Sequence, residues 1–386
     1  MATRAVASLG ASVILFGTAA VANACLWDYD TLKMERRQFP STLELITGKF
    51  LRHSPDYYQW RIRDRKYRLE REPGNLALYD DLAAAYDKTG RHDRAVEIML
   101  KKEQLKPGLY ETYANLGTFY IHGGKPEEGL RHIKRAIEIN PDAHFGREVY
   151  QQLLVEYVLE IRNSGRKGLP LSPADKDGVR TQTFAKFVLA RQKPKDGKEA
   201  EVGRAVKGVL GMMRFGKHDS PILLEALGDL LDVEFERSEP RENAKRLAAR
   251  AFLKASYEVK DHDAKGKYRW LAEQALRLQA DRDTDEQISL ARLEIRFQTE
   301  LDQGNEWYEQ IRADEAKWVQ SGADVDFEYS RKYYDEPTVS LPDSDDPLEQ
   351  LVTFGIVALV GVALVVALVV YLFYRRRNSR SRTHAA

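Results

Sequence analysis

PGNLALYDDLAAAYDKTGRHDRAVEIMLKKEQLK occupies residues 73–106, and PGLYETYANLGTFYIHGGKPEEGLRHIKRAIEIN follows it at residues 107–140. Set one above the other, the two 34-residue lines agree at their structural positions. Pro73, Pro107 and Pro141 are each 34 apart. Tyr79, Leu82, Tyr86, Gly90 and Ala95 stand over Tyr113, Leu116, Tyr120, Gly124 and Gly129. A fixed period of this length marks a helical repeat. Small residues let two helices approach closely, while tyrosine and leucine fill the wedge between successive helices. Gly90 and Gly124 supply the tight turn after the first helix. Each proline stops the second helix and opens the next unit. One such pair cannot bury its own apolar face, so units stack.

This pattern resembles the tetratricopeptide repeat family. The second unit, residues 109–141, carries Tyr113, Leu116-Gly117, Tyr120, Gly124, Ala136 and Pro141 in the family's order, with Gly129 in place of the first helix-B alanine. The first unit, residues 75–107, has Tyr79, Leu82-Ala83, Tyr86, Gly90, Ala95 and Pro107, but Lys102 replaces the second alanine. The resemblance implies an all-α, superhelical solenoid that binds protein segments on the inner faces of its A helices. Carried over by position, the partner-binding candidates are Asp80, Ala84, Asp87, Glu111, Ala114, Asn115, Thr118, Ile121 and His122. Some relatives clamp a partner's terminal carboxylate. Asn115 sits at a clamp position here, but Asp80 and Ala84 stand where lysine and asparagine are needed. A basic or apolar partner segment therefore fits the expectation better than a carboxylate.

Outside these units the pattern weakens. Residues 41–72 read as a degenerate helix pair ending in phase at Pro73, and Ala143–Ile161 as a capping helix that completes a repeat region spanning 25–163. Arg162–Pro173 is a Gly/Pro-rich break. A second helical region, 174–320, is expected to hold helices at 176–192, 197–214, 220–236, 240–258, 264–280, 284–302 and 305–319. Within it Leu227-Gly228 and the series Ala248, Phe252, Ala255 have the spacing of helix A and helix B. No run demands a sheet. Residues 321–347, with Pro337, Pro342 and Pro347 among acidic residues, read as an extended linker.

The two ends read as addresses. Residues 1–24 have a basic Arg4, an apolar stretch to Val21 and Ala22-Asn23-Ala24 before Cys25, which is the form of a secretory signal. Three outcomes stay open: cleavage after Ala24, lipidation of Cys25, or an uncleaved anchor. Residues 351–374 contain no charge, and sixteen of them are Leu, Ile, Val or Phe. As a helix they would span roughly 36 Å, enough for a hydrocarbon core of about 30 Å. The basic tail 375–386 that follows predicts a cytoplasmic C-terminus and a body outside the cytoplasm.

Composition narrows function further. Six of the 60 basic residues (Arg4, Arg375, Arg376, Arg377, Arg380 and Arg382) lie at the ends, leaving 54 against 59 acidic residues between, so nothing calls for nucleic acid. A single cysteine excludes an internal disulfide and a thiolate zinc site, and the eight histidines form no H-E-x-x-H motif. No metal or cofactor is expected. Neither a nucleophile elbow nor a phosphate-binding loop is present. The basic-aromatic stretch Trp60–Arg71 reads as a charged helix face, with an anionic surface as its alternative partner. The expectation is a non-catalytic, membrane-tethered scaffold of the cell envelope with protein partners and no small-molecule substrate. Its alternatives are an accessory subunit of a wall or polysaccharide assembly enzyme, a purely structural envelope protein, or a hydrolase. Clustered buried carboxylates in the second helical region would support the hydrolase.

Overall fold

The structure is a computed structural model that describes residues 40–334, except 142, 167, 176–177, 194–195, 234–241 and 278–287. The signal-like segment, Cys25, residues 335–347 of the linker, the apolar stretch 351–374 and the basic tail lie outside the described residues. The chain divides into two compact units, Met1–Ser330 and Arg331–Ala386. The described α-helices all lie in the first, and no strand occurs among the described residues. Among those residues no helix is long and apolar enough to cross a membrane.

The N-terminal half is a run of paired helices: α1 Thr42–Thr47, α2 Pro55–Arg71, α3 Leu76–Lys88, α4 His92–Leu105, α5 Tyr110–His122 and α6 Pro126–Ile139. The two repeats turn alike. Gly90 and Gly124 adopt φ of 75° and 77°, and the next amide reaches back to the same carbonyl in each, Arg91 to Tyr86 at 2.9 Å and Lys125 to Tyr120 at 2.8 Å. A side chain with a Cβ would be strained there. Tyr79, Leu82, Ala95 and Met99 are buried in the first pair, and Leu116, Phe119, Ile133 and Ala136 in the second. Each large aliphatic side chain withdrawn from water contributes about 2 kcal/mol before entropy is charged against it. Upstream, α1 is a single capped turn and a half. Ser41 and Glu44 close a capping box at its start. It is too short for a full helix A, so the expected first pair is degenerate in length as well as in sequence.

The second half begins with α7 Arg147–Asn163, which packs on both α6 and α9 and is therefore a junction, where the sequence suggested a cap. It continues through α8 Phe184–Gln192, α9 Lys198–Phe215, α10 Pro221–Leu231, α11 Glu242–Glu258, α12 His262–Ala275, α13 Leu290–Ser321 and α14 Val325–Tyr329. Helices α10 and α11 repeat the contact that defines a repeat. A Cβ on Gly228 would lie 2.6 Å from the Phe252 ring, just as one on Gly117 would lie 2.4 Å from Ile133. Two expectations change. The helix placed at 176–192 starts at Phe184, because the preceding segment is held as a loop. The helices placed at 284–302 and 305–319 are one, because Gly304 lies inside α13.

The reason for Gly304 is tertiary. A Cβ there would meet the Thr47 carbonyl oxygen at 2.6 Å, so α13 presses on α1 at a point where only glycine fits. Further along, Glu315 accepts from the Ser54 amide at 2.7 Å and pairs with His53. Asp326, on α14, accepts from Tyr57 at 2.6 Å and from Arg61 at 3.2 Å, and also pairs with Arg65. Arg65 binds Asp81 of α3 at 2.7 Å as well. The basic stretch on α2 is thus partly a buried seam. Arg61 and Arg65 face α14, while Arg68 makes the expected i,i+4 pair with Asp64. Residues 321–329, taken from sequence as the start of a free linker, are packed: Val325 and Tyr329 are buried.

Candidate partner-binding surface

The nine residues singled out by position lie on α3 and α5. Six are buried: Asp80, Ala84, Asp87, Ala114, Asn115 and Thr118. Glu111 and Ile121 are half-buried, and His122 is exposed. The burial has visible causes. Lys102 of α4 reaches through the space left by the missing alanine and binds both Asp80 oxygens, at 2.7 and 2.6 Å. Asn115 donates to the same carboxylate at 3.2 Å. Burial raises the Asp80 carboxyl and the Lys102 ammonium pulls it back, leaving it at about 7. Thr118 accepts from Gln151 of α7 at 3.2 Å. Asp80 and Asn115 hold neighbouring repeats together and present nothing to a partner. The would-be carboxylate clamp is a packed polar joint.

The open surface lies beside them, in two clefts that meet at His122, Phe215, Gly216 and Lys217. One, of about 270 Å³, has apolar walls from Ile121, Leu154, Val155, Val158, Met212 and Leu223. Arg147, Arg162 and Lys217 bring positive charge to it, and none of its described lining residues is acidic. The other, of about 560 Å³, lies between the α3–α4 turn, residues 50–55 and the end of α9. Lys88 crosses it to the Phe215 and Gly216 carbonyls, 2.6 Å from each. His218 is driven down to about 3 by burial and by Arg52 nearby, so it is a neutral imidazole.

On the wall of this larger cleft, Asp87 accepts from two histidines. His92 Nδ1 is 2.7 Å from one carboxylate oxygen and His122 Nδ1 is 2.8 Å from the other. Burial raises the Asp87 carboxyl, but the attraction and hydrogen bond of His122 and the hydrogen bond of His92 outweigh it and hold it at about 2. His92 is raised in return, chiefly by its bond to Asp87. In sequence the eight histidines form no H-E-x-x-H motif, and nothing local pairs His92 with His122. The missed signal is spacing: Asp87 and His122 are 35 apart, one repeat plus one residue, so stacked A helices bring them side by side.

A carboxylate cluster does occur in the second helical region, where Glu225 and Asp229 are fully buried on α10. Their oxygens are engaged. Glu225 accepts from the Leu171 and Ser172 amides and from Tyr268, at 2.9, 3.0 and 2.7 Å. Asp229 takes the Phe184 amide at 2.8 Å and pairs with Arg180 at 2.6 Å. Burial raises both carboxyls. The pair fixes the loop between α7 and α8 by its backbone amides, which is why α8 starts at Phe184.

Residues 110–143 match the tetratricopeptide repeat. The match covers α5, α6 and the turn after them, the unit in which a Cβ on Gly117 or Gly129 would collide with the facing helix. No curated protein matches the chain.

Proposed function

We propose that the chain is a non-catalytic scaffold that binds a partner protein through the apolar cleft between α5–α7 and α9–α10. The repeat supports a protein-binding role of the general kind that such units perform. The single observation that carries the finer reading is that cleft: apolar walls, basic edges and no acidic lining residue. It suits an apolar segment with acidic flanks. The expectation of a basic partner rested on Asp80, which Lys102 neutralises in the interior.

The setting we propose is the cell envelope. Residues 1–24 direct export and residues 351–374 anchor the chain, leaving the helical body outside the cytoplasm and the Arg-rich tail inside. A photo-crosslinking residue placed at Ile121 or Leu223 in the intact cell should give one discrete protein adduct. The same residue at exposed Glu127 should not. Equal labelling from both positions, or none from either, would contradict the scaffold reading. Recovery of a glycan synthase as the adduct would assign the chain to wall assembly. Carbonate extraction tests the anchor, since release of intact chain would rule it out.

A further inference from the structure

We infer that Asp87, His92 and His122 form a three-ligand site for a divalent transition-metal ion of the zinc class, open on its fourth side to the larger cleft. One nitrogen from each imidazole and one Asp87 oxygen lie within 4.8 Å of one another. They come from three places that the repeat architecture fixes independently: the end of α3, the start of α4 and the end of α5. Two imidazoles and a carboxylate suit a borderline-soft cation, and three protein ligands leave a position for water or another side chain.

The present spacing is that of a hydrogen-bonded cluster, with Nδ1–O separations of 2.7 and 2.8 Å. Ligands about 2.0–2.1 Å from a tetrahedral ion stand roughly 3.3 Å apart. Each nitrogen–oxygen pair needs to open by about half an ångström, while the two imidazole nitrogens, which now bond different Asp87 oxygens and lie within 4.8 Å of one another, converge on the ion by side-chain rotation. The ion would take the place of the protons that now bridge each histidine to the carboxylate.

Access and shielding are both provided. The His92 and His122 side chains are 30% and 31% exposed on the cleft wall, whereas Asp87 is 2% exposed. The ion can therefore enter from the cleft and rest against a carboxylate kept from solvent. Asp93 adds negative charge beside His92. Lys88 is adjacent in sequence, but its ammonium is turned to the Phe215 and Gly216 carbonyls. The alternative role for the cluster is a clamp between successive repeats, complete without any metal.

Co²⁺ alone separates the two, added to the purified full chain without a histidine tag. The expected result is tight uptake of one equivalent, with visible absorption bands of a four-coordinate ion. His92→Ala and His122→Ala should each weaken uptake about tenfold or more, and the double variant should abolish the bands. Circular dichroism on the same samples should show an unchanged helical spectrum, so that lost binding is not lost fold. Absence of bands in the wild-type chain at millimolar Co²⁺, or equal uptake by the double variant, overturns the site. The inference is independent of the partner proposal, because its readout uses the metal and this chain only.

Discussion

Replacing Gly129 by alanine pits the family pattern against the structure. Alanine is the residue the repeat family usually carries there, and helix propensity alone favours Gly→Ala inside a helix by about 1 kcal/mol. In this chain, however, a Cβ on Gly129 would lie 2.5 Å from Ile121 Cγ1 and 2.6 Å from the Gly117 carbonyl oxygen. Ile121 can rotate away, but the carbonyl cannot. Ordinary contact begins near 3.4 Å, so α5 and α6 must separate by about 0.8 Å. A gap of that size forfeits roughly a quarter to a half of each dispersion contact across it. Overpacking of this kind costs about 1–3 kcal/mol, and a rigid backbone obstacle places the cost near the top. The net expectation is destabilisation by about 2 kcal/mol after the propensity gain. Gly203→Ala is the matched control, since nothing lies within 4 Å of its Cβ position in α9. It should stabilise by about 0.5–1 kcal/mol. Urea unfolding of the purified chain, followed by circular dichroism, should move the midpoint down for the first variant and up for the second. If both midpoints rise together, the α5–α6 approach is not the rigid constraint argued here.

Three further outcomes follow from the ionic groups. Lys102→Ala leaves the Asp80 carboxylate without its ammonium and should cost about 3 kcal/mol in urea unfolding, while Asp80→Ala/Lys102→Ala together should cost less than the lysine change alone. Asp87 is held at about 2, below its ordinary 3.8, so it contributes stability present above about pH 4 and lost as pH falls toward 2. The amount is about 2 kcal/mol. His92 is raised above 6.5, so its share is full below that pH and fades as pH climbs through the raised value. The stability difference between wild type and Asp87→Asn should therefore be greatest between those limits, and a flat difference from pH 2 to 8 would refute the coupling. Asp326→Ala removes the acceptor shared by Tyr57, Arg61 and Arg65, and hydrogen exchange should accelerate in α2 and α14 before the α5–α6 pair.

The repeats were legible because their determinants are local. A tyrosine, a leucine and a glycine recur every 34 residues, and each acts within one helix pair. The C-terminal packing was illegible for the opposite reason. Tyr57 and Asp326 are 269 residues apart, and nothing near either announces the other. Gly304 shows the same limit. In sequence it resembles a break between two helices, since glycine costs about 1 kcal/mol in a helix interior. In the fold it is what lets α13 reach the Thr47 carbonyl, and packing offsets its intrinsic penalty.

The candidate surface divides along the same line. Position in the repeat named nine residues of α3 and α5 but could not say which of them stay open. That depends on Lys102, whose replacement of an alanine looked like a defect in the first unit. A lysine at that position cannot pack as alanine does, so it needs a buried anion within reach, and Asp80 on the neighbouring helix α3 supplies it at 2.6 Å. The two departures compensate each other: the lysine explains the aspartate, and together they close the part of the inner face where a carboxylate clamp would have been. What remains available is the wall where α5 meets the second helical half. There Ile121 and His122, the last residues of α5, lead from the apolar cleft to the histidine–aspartate cluster. On the proposed function, recognition depends less on the repeat's usual ligand positions than on α7, α9 and α10, which line the apolar cleft with α5. Substitutions at Leu154 or Leu223 should impair partner capture more than substitutions at Glu111.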